Sequence, residues 1–476
     1  MSNKLLEPTY ENLINHYLHD TIGRNEDLFY FVRILSGLNS GSAVALNAAW
    51  GSGKTFFVKQ AKMLIDIHNP NSDIDIECLN QEEIASIKDV YNKHNSGTEK
   101  YEMPKMATVY YDAWKYDDTE DPLLSLLYCI MNRFGESVPE DKVAVIKKFA
   151  KQSISILSSA ARYVTGINVQ EILETIKNYA DACEDTVKEQ KTNESLEKRI
   201  NSFLNDVVLE DEEKLIIFVD ELDRCNPQYA VKLLERVKHY FNHPKVVFVI
   251  SYNKSELQHS IKTLYGSEFS ADKYLERFFD YEFGLSPIDV ERYMDILGNS
   301  NTIHLNMCAV AKLYNFQMRE VWKYYDCVNR AIAMIKKVIS NNMYSSEKSL
   351  EFYIKWFLPF VVGLRFHNET NYREFIDGKE FKYYGEFFRL RLKPNKEYFR
   401  ELLNQDEVYD ENQNGYILNG IKHISLETKI RQLYTAMFEY ATDSKQIEFG
   451  SILVNHEIRD DFRKICNGIS YLADYK

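Results

Sequence analysis

The sequence predicts a three-layer α/β fold that carries a helical insertion and is followed by a mainly α-helical C-terminal part. Short apolar runs alternate with amphipathic stretches over residues 1–285, and strands that alternate with helices build a sheet covered on both faces. The run "KLIIFVD" is apolar from Leu215 to Val219, which is typical of a parallel strand buried on both faces. After Ser286-Pro287 the pattern becomes helical and rich in Tyr and Phe.

The predicted elements of the α/β part follow one another in order. "NEDLFYFVRILSG", from Asn25 to Gly37, predicts an amphipathic helix that ends at a glycine. "SAVALNAA" predicts a strand that passes through a Gly-rich turn into the helix "KTFFVKQAKMLIDI". The strand "MATVYYDAW" precedes a helix capped at Asp121-Pro122, and Asn226-Pro227 begins the helix after "KLIIFVD". "KVVFVISYN" is another buried strand.

The chain divides into two expected domains. Residues 1–285 form the α/β domain, with the helical insertion at about 136–213, and residues 286–476 form a mainly helical lid or interaction domain. A chain of 476 residues is long enough for each part to bury its own core.

Composition restricts the partners and the compartment. Lys plus Arg number 58 and Asp plus Glu number 71, a net charge of −13, and so acidic a chain repels a phosphate backbone unless positive charge is gathered locally. The seven cysteines form no CxxC pair, which argues against a disulfide framework or zinc site and favours a reducing cytosol. We see no secretion signal and no membrane-length apolar run. We therefore expect a soluble cytoplasmic protein without a membrane partner.

The turn "AAWGSGKT", from Ala48 to Thr55, is close to a phosphate-binding loop but has alanine where such loops begin with glycine. Backbone amides can cradle phosphates only where small residues let the chain approach, and Gly51 and Gly53 occupy that part of the turn. Lys54 can reach the β- and γ-phosphates, and the Thr55 hydroxyl can ligate Mg²⁺. The alternative is a Gly-rich turn without a ligand. The residues assigned to nucleotide binding in this stretch are Ala48, Ala49, Trp50, Gly51, Ser52, Gly53, Lys54, Thr55 and Phe56.

The strand end "IIFVDELDR" supplies the acids that hydrolysis of a nucleotide requires. Asp220 is assigned to the outer shell of the Mg²⁺ ion that Thr55 also ligates, and Glu221 is assigned as the general base that activates water. The alternative is that both carboxylates cap the following helix. Asn253, with Ser251 as second choice, is expected near the γ-phosphate, although a short polar residue after a strand also begins a turn.

Five short motifs follow one another along the chain. They are "WGSGKT" (Trp50–Thr55), "YDAWKYDD" (Tyr111–Asp118), "FVDELDRC" (Phe218–Cys225), "VVFVISYN" (Val246–Asn253) and "KYLERFF" (Lys273–Phe279). This set resembles the KAP family of P-loop NTPases over roughly residues 15–335. Members often carry a membrane hairpin in the insertion, and this chain, which has none in its sequence, looks like the soluble branch.

The resemblance implies a fold, an activity and a setting. It implies an additional-strand, catalytic-glutamate P-loop core with Mg²⁺ as cofactor and ATP as substrate. It also implies a bacterial source and a role in defence against phage, with a protein partner encoded nearby or with further copies of the chain. Arg277 stands where the family usually has Lys or Arg, and Arg319 resembles its lid arginine, so both join Lys54 as candidates for stabilising charge at the γ-phosphate. Arg224 is a further candidate, and a structural ion pair is the alternative for each arginine.

Three further features are assigned from their position or composition. Trp114 is expected to be a structural side chain packed beside the nucleotide core, and Asp112, at the end of its strand, could orient water. Lys379–Arg400 holds seven basic and three acidic residues with interleaved aromatics, which makes it a candidate nucleic-acid surface. The alternative is an edge hairpin or a helix with solvated charges.

The sequence therefore favours an ATPase whose helical domain moves in response to the nucleotide. One alternative is a nucleotide-gated scaffold that turns over negligibly and recruits an effector. The other is a nucleic-acid-stimulated ATPase, which the net charge of −13 disfavours.

Overall fold

The structure is a computed structural model that describes residues 7–38, 41–69, 79–95, 103–119, 121–135, 193–205, 212–298, 301–339, 347–392, 407–410, 415–418, 422–439, 447–449 and 452–473. The chain separates into two compact units, Met1–Pro287 and Ile288–Lys476. Most of the helical insertion expected at about 136–213 lies outside the described residues.

A five-stranded parallel sheet forms the centre of the first unit. Its strands are β1 (Ser42–Asn47), β2 (Met106–Asp112), β3 (Lys214–Asp220), β4 (Val246–Tyr252) and β5 (Tyr281–Gly284). They lie side by side in the order β2-β3-β4-β1-β5. Because β4 pairs in parallel with both β1 and β3, it is the strand added between the phosphate-loop strand and the acidic strand. The predicted three-layer fold class is confirmed.

The sheet brings the chemical motifs to one edge. The register pairs Asn47 at the end of β1 with Tyr252 at the end of β4. It also pairs Asp112 at the end of β2 with Asp220 at the end of β3. Parallel strands present their carboxyl ends on the same side, and ligands of such sheets bind there. The turn after β1, the acids after β3 and the polar residues after β4 therefore meet.

The helices of the first unit surround the central sheet. They are α1 (Tyr10–His19), α2 (Asn25–Gly37), α3 (Lys54–His68), α4 (Gln81–Asn95), α5 (Pro122–Gly135), α6 (Asn193–Phe203), α7 (Pro227–Tyr240), α8 (Lys254–Tyr265) and α9 (Ala271–Leu275). The boundaries of α2 are those predicted from the sequence. The predicted cap of α7 is also present, since Asn226 Oδ1 accepts from the Gln228 amide at 3.0 Å and Pro227 follows it.

The second unit is mainly helical in the part that the structure describes. Its helices are α10 (Val290–Leu297), α11 (Thr302–Leu313), α12 (Met318–Ile339), α13 (Glu347–Trp356), α14 (Leu358–His367), α15 (Glu369–Ile376), α16 (Lys382–Leu392), α17 (Leu426–Tyr434) and α18 (His456–Ala473). Aromatic side chains fill its core, as where the rings of Phe357 and Tyr384 stack with centroids 4.4 Å apart. The abundance of Tyr and Phe is therefore a packing feature here.

Several short strands were not predicted from the sequence. β5 is four residues long and mostly exposed, so it lacks the apolar run that identified the other strands of its sheet. In the second unit, β6 (Glu407–Asp410), β7 (Gly415–Leu418) and β8 (Lys422–Ser425) form an antiparallel sheet, and β9 (Ile447–Phe449) pairs with β10 (Ile452–Val454). Among the described helices, none combines the length and apolarity needed to cross a bilayer.

Candidate functional site

The turn between β1 and α3 has the backbone of a tight glycine loop. Gly51 and Gly53 adopt φ angles of 76° and 92°, a region that residues with a Cβ atom rarely enter. The Ser52 amide donates to the Ala49 carbonyl at 3.3 Å, and the Phe57 amide donates to the Gly53 carbonyl at 3.0 Å. The second of these bonds starts α3, so the loop ends at a helix N-terminus, where free backbone amides can bind an anion.

Lys54 folds back over its own loop. Its ammonium group donates to the carbonyl of Ala48 at 2.9 Å and to that of Ala49 at 3.3 Å, and it lies 3.8 Å from Asp223 Oδ2. Burial lowers the pKa of Lys54, while Asp223, Asp220 and Glu221 act in the opposite direction. The ammonium group is thus held inside the site and partly desolvated, and phosphate oxygens could replace its carbonyl partners.

The acids after β3 occupy different environments. Asp220 is fully buried, and its carboxylate accepts from the Tyr110 hydroxyl and from the Glu221 amide, each at 3.0 Å. Glu221 has a φ angle of 62°, a left-handed conformation that is uncommon outside glycine and concentrates at functional sites. The two carboxylates therefore leave the strand in different directions, with Asp220 locked in place and Glu221 turned toward the loop.

Glu221 connects the acidic motif to the phosphate loop. Thr55 Oγ1 donates to Glu221 Oε1 at 3.0 Å, and the Arg224 guanidinium forms an ion pair with Oε2. Burial, followed by Asp220, raises the pKa of Glu221, whereas Arg224 and the Thr55 hydrogen bond lower it. A carboxyl group with a raised pKa is suited to accepting a proton from water. The other proposed role, capping α7, is filled by Asn226.

Asp223 lies at the centre of the site, although sequence reasoning assigned it no role. Its Oδ2 accepts from Trp50 Nε1 at 2.6 Å and from the Asn253 amide at 2.9 Å, besides lying near Lys54. Oδ1 is buried without a hydrogen-bond partner among the described residues. One carboxylate thus ties the phosphate loop to the ends of β3 and β4. Its position inside "DELDR" was the available signal, but spacing alone did not tell which acid faced the loop.

The remaining residues assigned to nucleotide binding lie around the same edge. Ala48 donates its amide to the Tyr252 carbonyl at 3.3 Å, and the ring of Phe56 is buried against that of His16. Ser52 is buried, and its Oγ has no hydrogen-bond partner within the described ranges. Asn253 Oδ1 caps α8 by accepting from the Ser255 amide at 3.2 Å, so the turn-starting role is present. Its contact with a γ-phosphate stays a prediction.

The oxygen donors present suit a magnesium ion. Mg²⁺ prefers hard oxygen ligands and usually keeps several waters, with one or two protein ligands and substrate phosphates completing its shell. Thr55 Oγ1 donates to the Glu221 carboxylate, and the buried Asp220 carboxylate accepts from the backbone amide of Glu221. Both carboxylates act electrostatically on Lys54, so a hydroxyl and two carboxylates surround the end of the loop. In the part of the chain that is described, no cluster of three or more His, Cys, Asp or Glu side chains forms a metal cage. A site of this class does not require such a cage, so the donor set fits.

The structure places the candidate arginines differently. Arg224 joins the site through Glu221, and its guanidinium lies 5.6 Å from the centroid of the Trp114 ring. Arg277 follows α9 and has an exposed side chain, and Arg319 is exposed in the first turn of α12 in the second unit. The catalytic assignments of Arg277 and Arg319 stay predictions.

Trp114 is not the packed side chain that the sequence suggested. It is 54% exposed, because β2 is an edge strand and the following 3₁₀ turn, Trp114–Tyr116, turns its first residue outward. Tyr116 packs inward instead and stacks on Tyr111 with ring centroids 5.3 Å apart. Asp112 accepts from the Lys115 amide at 3.2 Å, so its carboxylate caps this turn.

The basic segment Lys379–Arg400 is only partly described. Three of its aromatic residues, Tyr384, Phe387 and Phe388, lie on α16 and are buried in the core of the second unit. They are therefore not available to stack on bases, and the described part matches the alternative of a helix with charged residues on its surface. Residues 393–400 lie outside the described residues.

Comparison with known proteins identifies the family. Residues 30–355 match the model of the KAP family P-loop domain, which is more than half of the chain. The chain belongs to the KAP family. Its first unit accordingly contains a P-loop nucleotide-binding domain of the NTPase type, in agreement with the loop, the acidic strand and the sheet order.

Two more distant similarities accompany the family match. An uncharacterized protein of Methanocaldococcus jannaschii is 24% identical over 160 residues, which cover 28% of this chain and 82% of that protein. The solved structure of the Aeropyrum pernix ORC2 protein in ADPNP and ADP complexes overlaps 94% of both chains with 10% identity and a TM-score of 0.31. At that TM-score the overlap indicates nothing about the fold or function of this KAP protein.

Proposed function

We propose that this KAP-family chain is a Mg²⁺-dependent ATPase in which ATP binding and hydrolysis drive a conformational signal. The observation that carries the proposal is the meeting of loop and acids: Thr55 Oγ1 lies 3.0 Å from Glu221 Oε1, and Lys54 Nζ lies 3.8 Å from Asp223 Oδ2. A cation, a hydroxyl and a poised carboxylate at a helix N-terminus are the groups that phosphoryl transfer to water requires.

Each residue has a distinct task in this proposal. Loop amides and Lys54 bind and orient the triphosphate. Thr55 and Asp220 are the residues that would hold Mg²⁺, and the ion would neutralise charge on the phosphate oxygens. Glu221 accepts the proton of the attacking water. Before it can act, Glu221 must exchange its contacts with Thr55 and Arg224 for contacts with water, since both of its oxygens are engaged.

Two substitutions test the assignment. Glu221→Gln preserves the shape and the acceptor oxygen for Thr55 but removes the base, so we expect ATP binding to remain and kcat to fall by about 10²–10⁴-fold. Lys54→Ala should abolish binding, because it removes the cation at the phosphates. Glu82→Gln, an exposed change on α4 of the same unit, is the matched control and should leave both unchanged. Phosphate release by Glu221→Gln at the parent rate would show that another group is the base.

A second candidate function is a nucleotide-gated scaffold with negligible turnover. The ion pair between Arg224 and Glu221 favours it, since it holds the proposed base against a cation. Burst and steady-state measurements of phosphate release separate the two: a scaffold binds ATP and releases phosphate in neither phase.

The biological setting is also proposed. We place the ATPase in bacterial defence against phage, acting with a protein partner or as an oligomer, and the support is the family resemblance alone. Cys129, Cys225, Cys308, Cys327 and Cys466 are free thiols, which favours a reducing cytoplasm as the location. A plaque assay of cells that express the chain with its neighbouring genes, compared with Lys54→Ala, tests this setting.

A further inference from the structure

Arg24 joins the phosphate loop to the end of the first unit. It immediately precedes α2 and is only 6% exposed. Its Nη1 donates to the Ser52 carbonyl at 2.6 Å, inside the loop between the two glycines. Its Nη2 donates to the carbonyl of Ser286, which is 262 residues away in sequence. One planar guanidinium thus spans two backbone segments that are distant along the chain.

The segment at Ser286 is held from two further directions. The Ser286 amide donates to Asp27 Oδ2 at 3.3 Å, and Asp27 lies in the first turn of α2. The preceding residue, Leu285, donates its amide to the Asn47 carbonyl at 3.1 Å, at the end of β1 where the loop begins. Ser286 stands just before Pro287, the last residue of the first unit. Every one of these contacts therefore links the exit of the first unit to the start of α2 or to the loop.

Burial of the Arg24 guanidinium costs solvation free energy. Burial lowers the pKa of Arg24 to about 10, with Asp27 opposing the shift. Its Nε is buried and has no hydrogen-bond partner among the described residues. Buried charged groups are often replaced, together with their partners, by well-packed apolar side chains at no loss of stability. Packing alone gives no reason for arginine here, whereas the need to hold two carbonyls at once does, because arginine offers several donors in a rigid fork.

We propose that Arg24 is a positioning residue that couples the conformation of the phosphate loop to the segment through which the chain leaves the first unit. The proposal rests on the proposed function, since ATP in the loop is the signal. When loop amides turn toward phosphates, the Ser52 peptide turns with them, and the guanidinium carries that movement to Ser286. The loop and the exit segment then have two joint arrangements, one with nucleotide and one without.

Hydrogen exchange in the full chain tests the coupling. The readout is the amide exchange of peptides covering residues 280–290, measured with and without Mg²⁺ and AMP-PNP. In the parent chain we expect nucleotide to change this exchange. Arg24→Lys keeps the charge but offers a point donor in place of the fork, so the change at 280–290 should be lost. The same variant should still bind AMP-PNP, about tenfold more weakly, which is the lower end of what the loss of one charge-assisted hydrogen bond implies.

Two other variants keep the test decisive. Arg33→Lys makes the same change at an exposed position on α2 and should respond like the parent. Asp27→Asn weakens the other contact of Ser286 and should reduce the response even if Arg24→Lys fails to fold. The coupling is overturned if nucleotide changes the exchange at 280–290 in Arg24→Lys as it does in the parent, or in Asp27→Asn if Arg24→Lys does not fold. It is also overturned if the parent chain binds AMP-PNP and its exchange at 280–290 does not change. A parent chain that binds no nucleotide overturns the proposed function itself.

Discussion

Asp223→Ala should destabilise the first unit strongly, although the residue was not singled out as functional by its sequence. The side chain of Asp223 is 1% exposed and that of Lys54 is 9% exposed, and the charged atoms lie 3.8 Å apart. At an effective dielectric constant of about 20, this separation corresponds to an attraction of about 4 kcal/mol before desolvation is subtracted. The substitution also removes the acceptor of the Trp50 indole and the Asn253 amide.

The expected loss of unfolding free energy is about 3 kcal/mol. Removing one partner of a buried pair costs roughly 3–5 kcal/mol because the other charge is left uncompensated. The lower end applies, since Oδ1 of Asp223 has no hydrogen-bond partner among the described residues, so deletion relieves part of its own desolvation. For a unit of 287 residues the entropy of unfolding is about 0.6 kcal/mol/K, so the melting temperature should fall by about 5 °C.

Thermal unfolding, followed by calorimetry and by tryptophan fluorescence, measures this effect. Asp272→Ala is the matched control: its pair with Lys254 is closer, at 3.2 Å, but the two side chains are 55% and 31% exposed. Exposed pairs contribute about 0–1 kcal/mol, so the control should melt within about 2 °C of the parent. If both variants melted at the same temperature as the parent, or if the control lost more than Asp223→Ala, burial would not be the deciding factor.

Two further outcomes are expected at the same edge of the sheet. Arg224→Ala removes the cation that lowers the pKa of Glu221, so this pKa should rise further. The acid limb of the plot of kcat against pH should then move to higher pH. If the limb did not move, Arg224 would not influence the base. Gly53→Ala forces a residue with a Cβ atom to adopt a φ of 92°, which should lower the free energy of unfolding by about 1–2 kcal/mol and weaken ATP binding. Gly37→Ala is the control, because Gly37 has open space around it and no positive φ, and it should lower the free energy of unfolding less. Denaturant melts measure both changes.

Local patterns predicted those parts of the site that lie close together in sequence. An apolar run ending in Asp220 and Glu221 is a buried strand with acids at its end wherever it occurs, because burial on both faces requires such a run. Likewise, glycines at Gly51 and Gly53 followed by Lys54 allow a tight turn into a helix. The short, exposed β5 could not be found in this way, since it owes its place in the sheet to pairing with β1.

By itself, the sequence determined the order of strands β1 to β4, the phosphate loop, the acidic strand end and, through their combination, the family. Only the tertiary structure decided which groups meet. Thr55 contacts Glu221, and Asp223, not one of its neighbours, accepts the hydrogen bond of the Trp50 indole. The structure also decided that Trp114 turns outward. It also brought Arg24 to both Ser52 and Ser286. The physical reason is that hydrophobic periodicity and turn chemistry act over a few residues, whereas these contacts join positions that become neighbours only when the sheet is assembled.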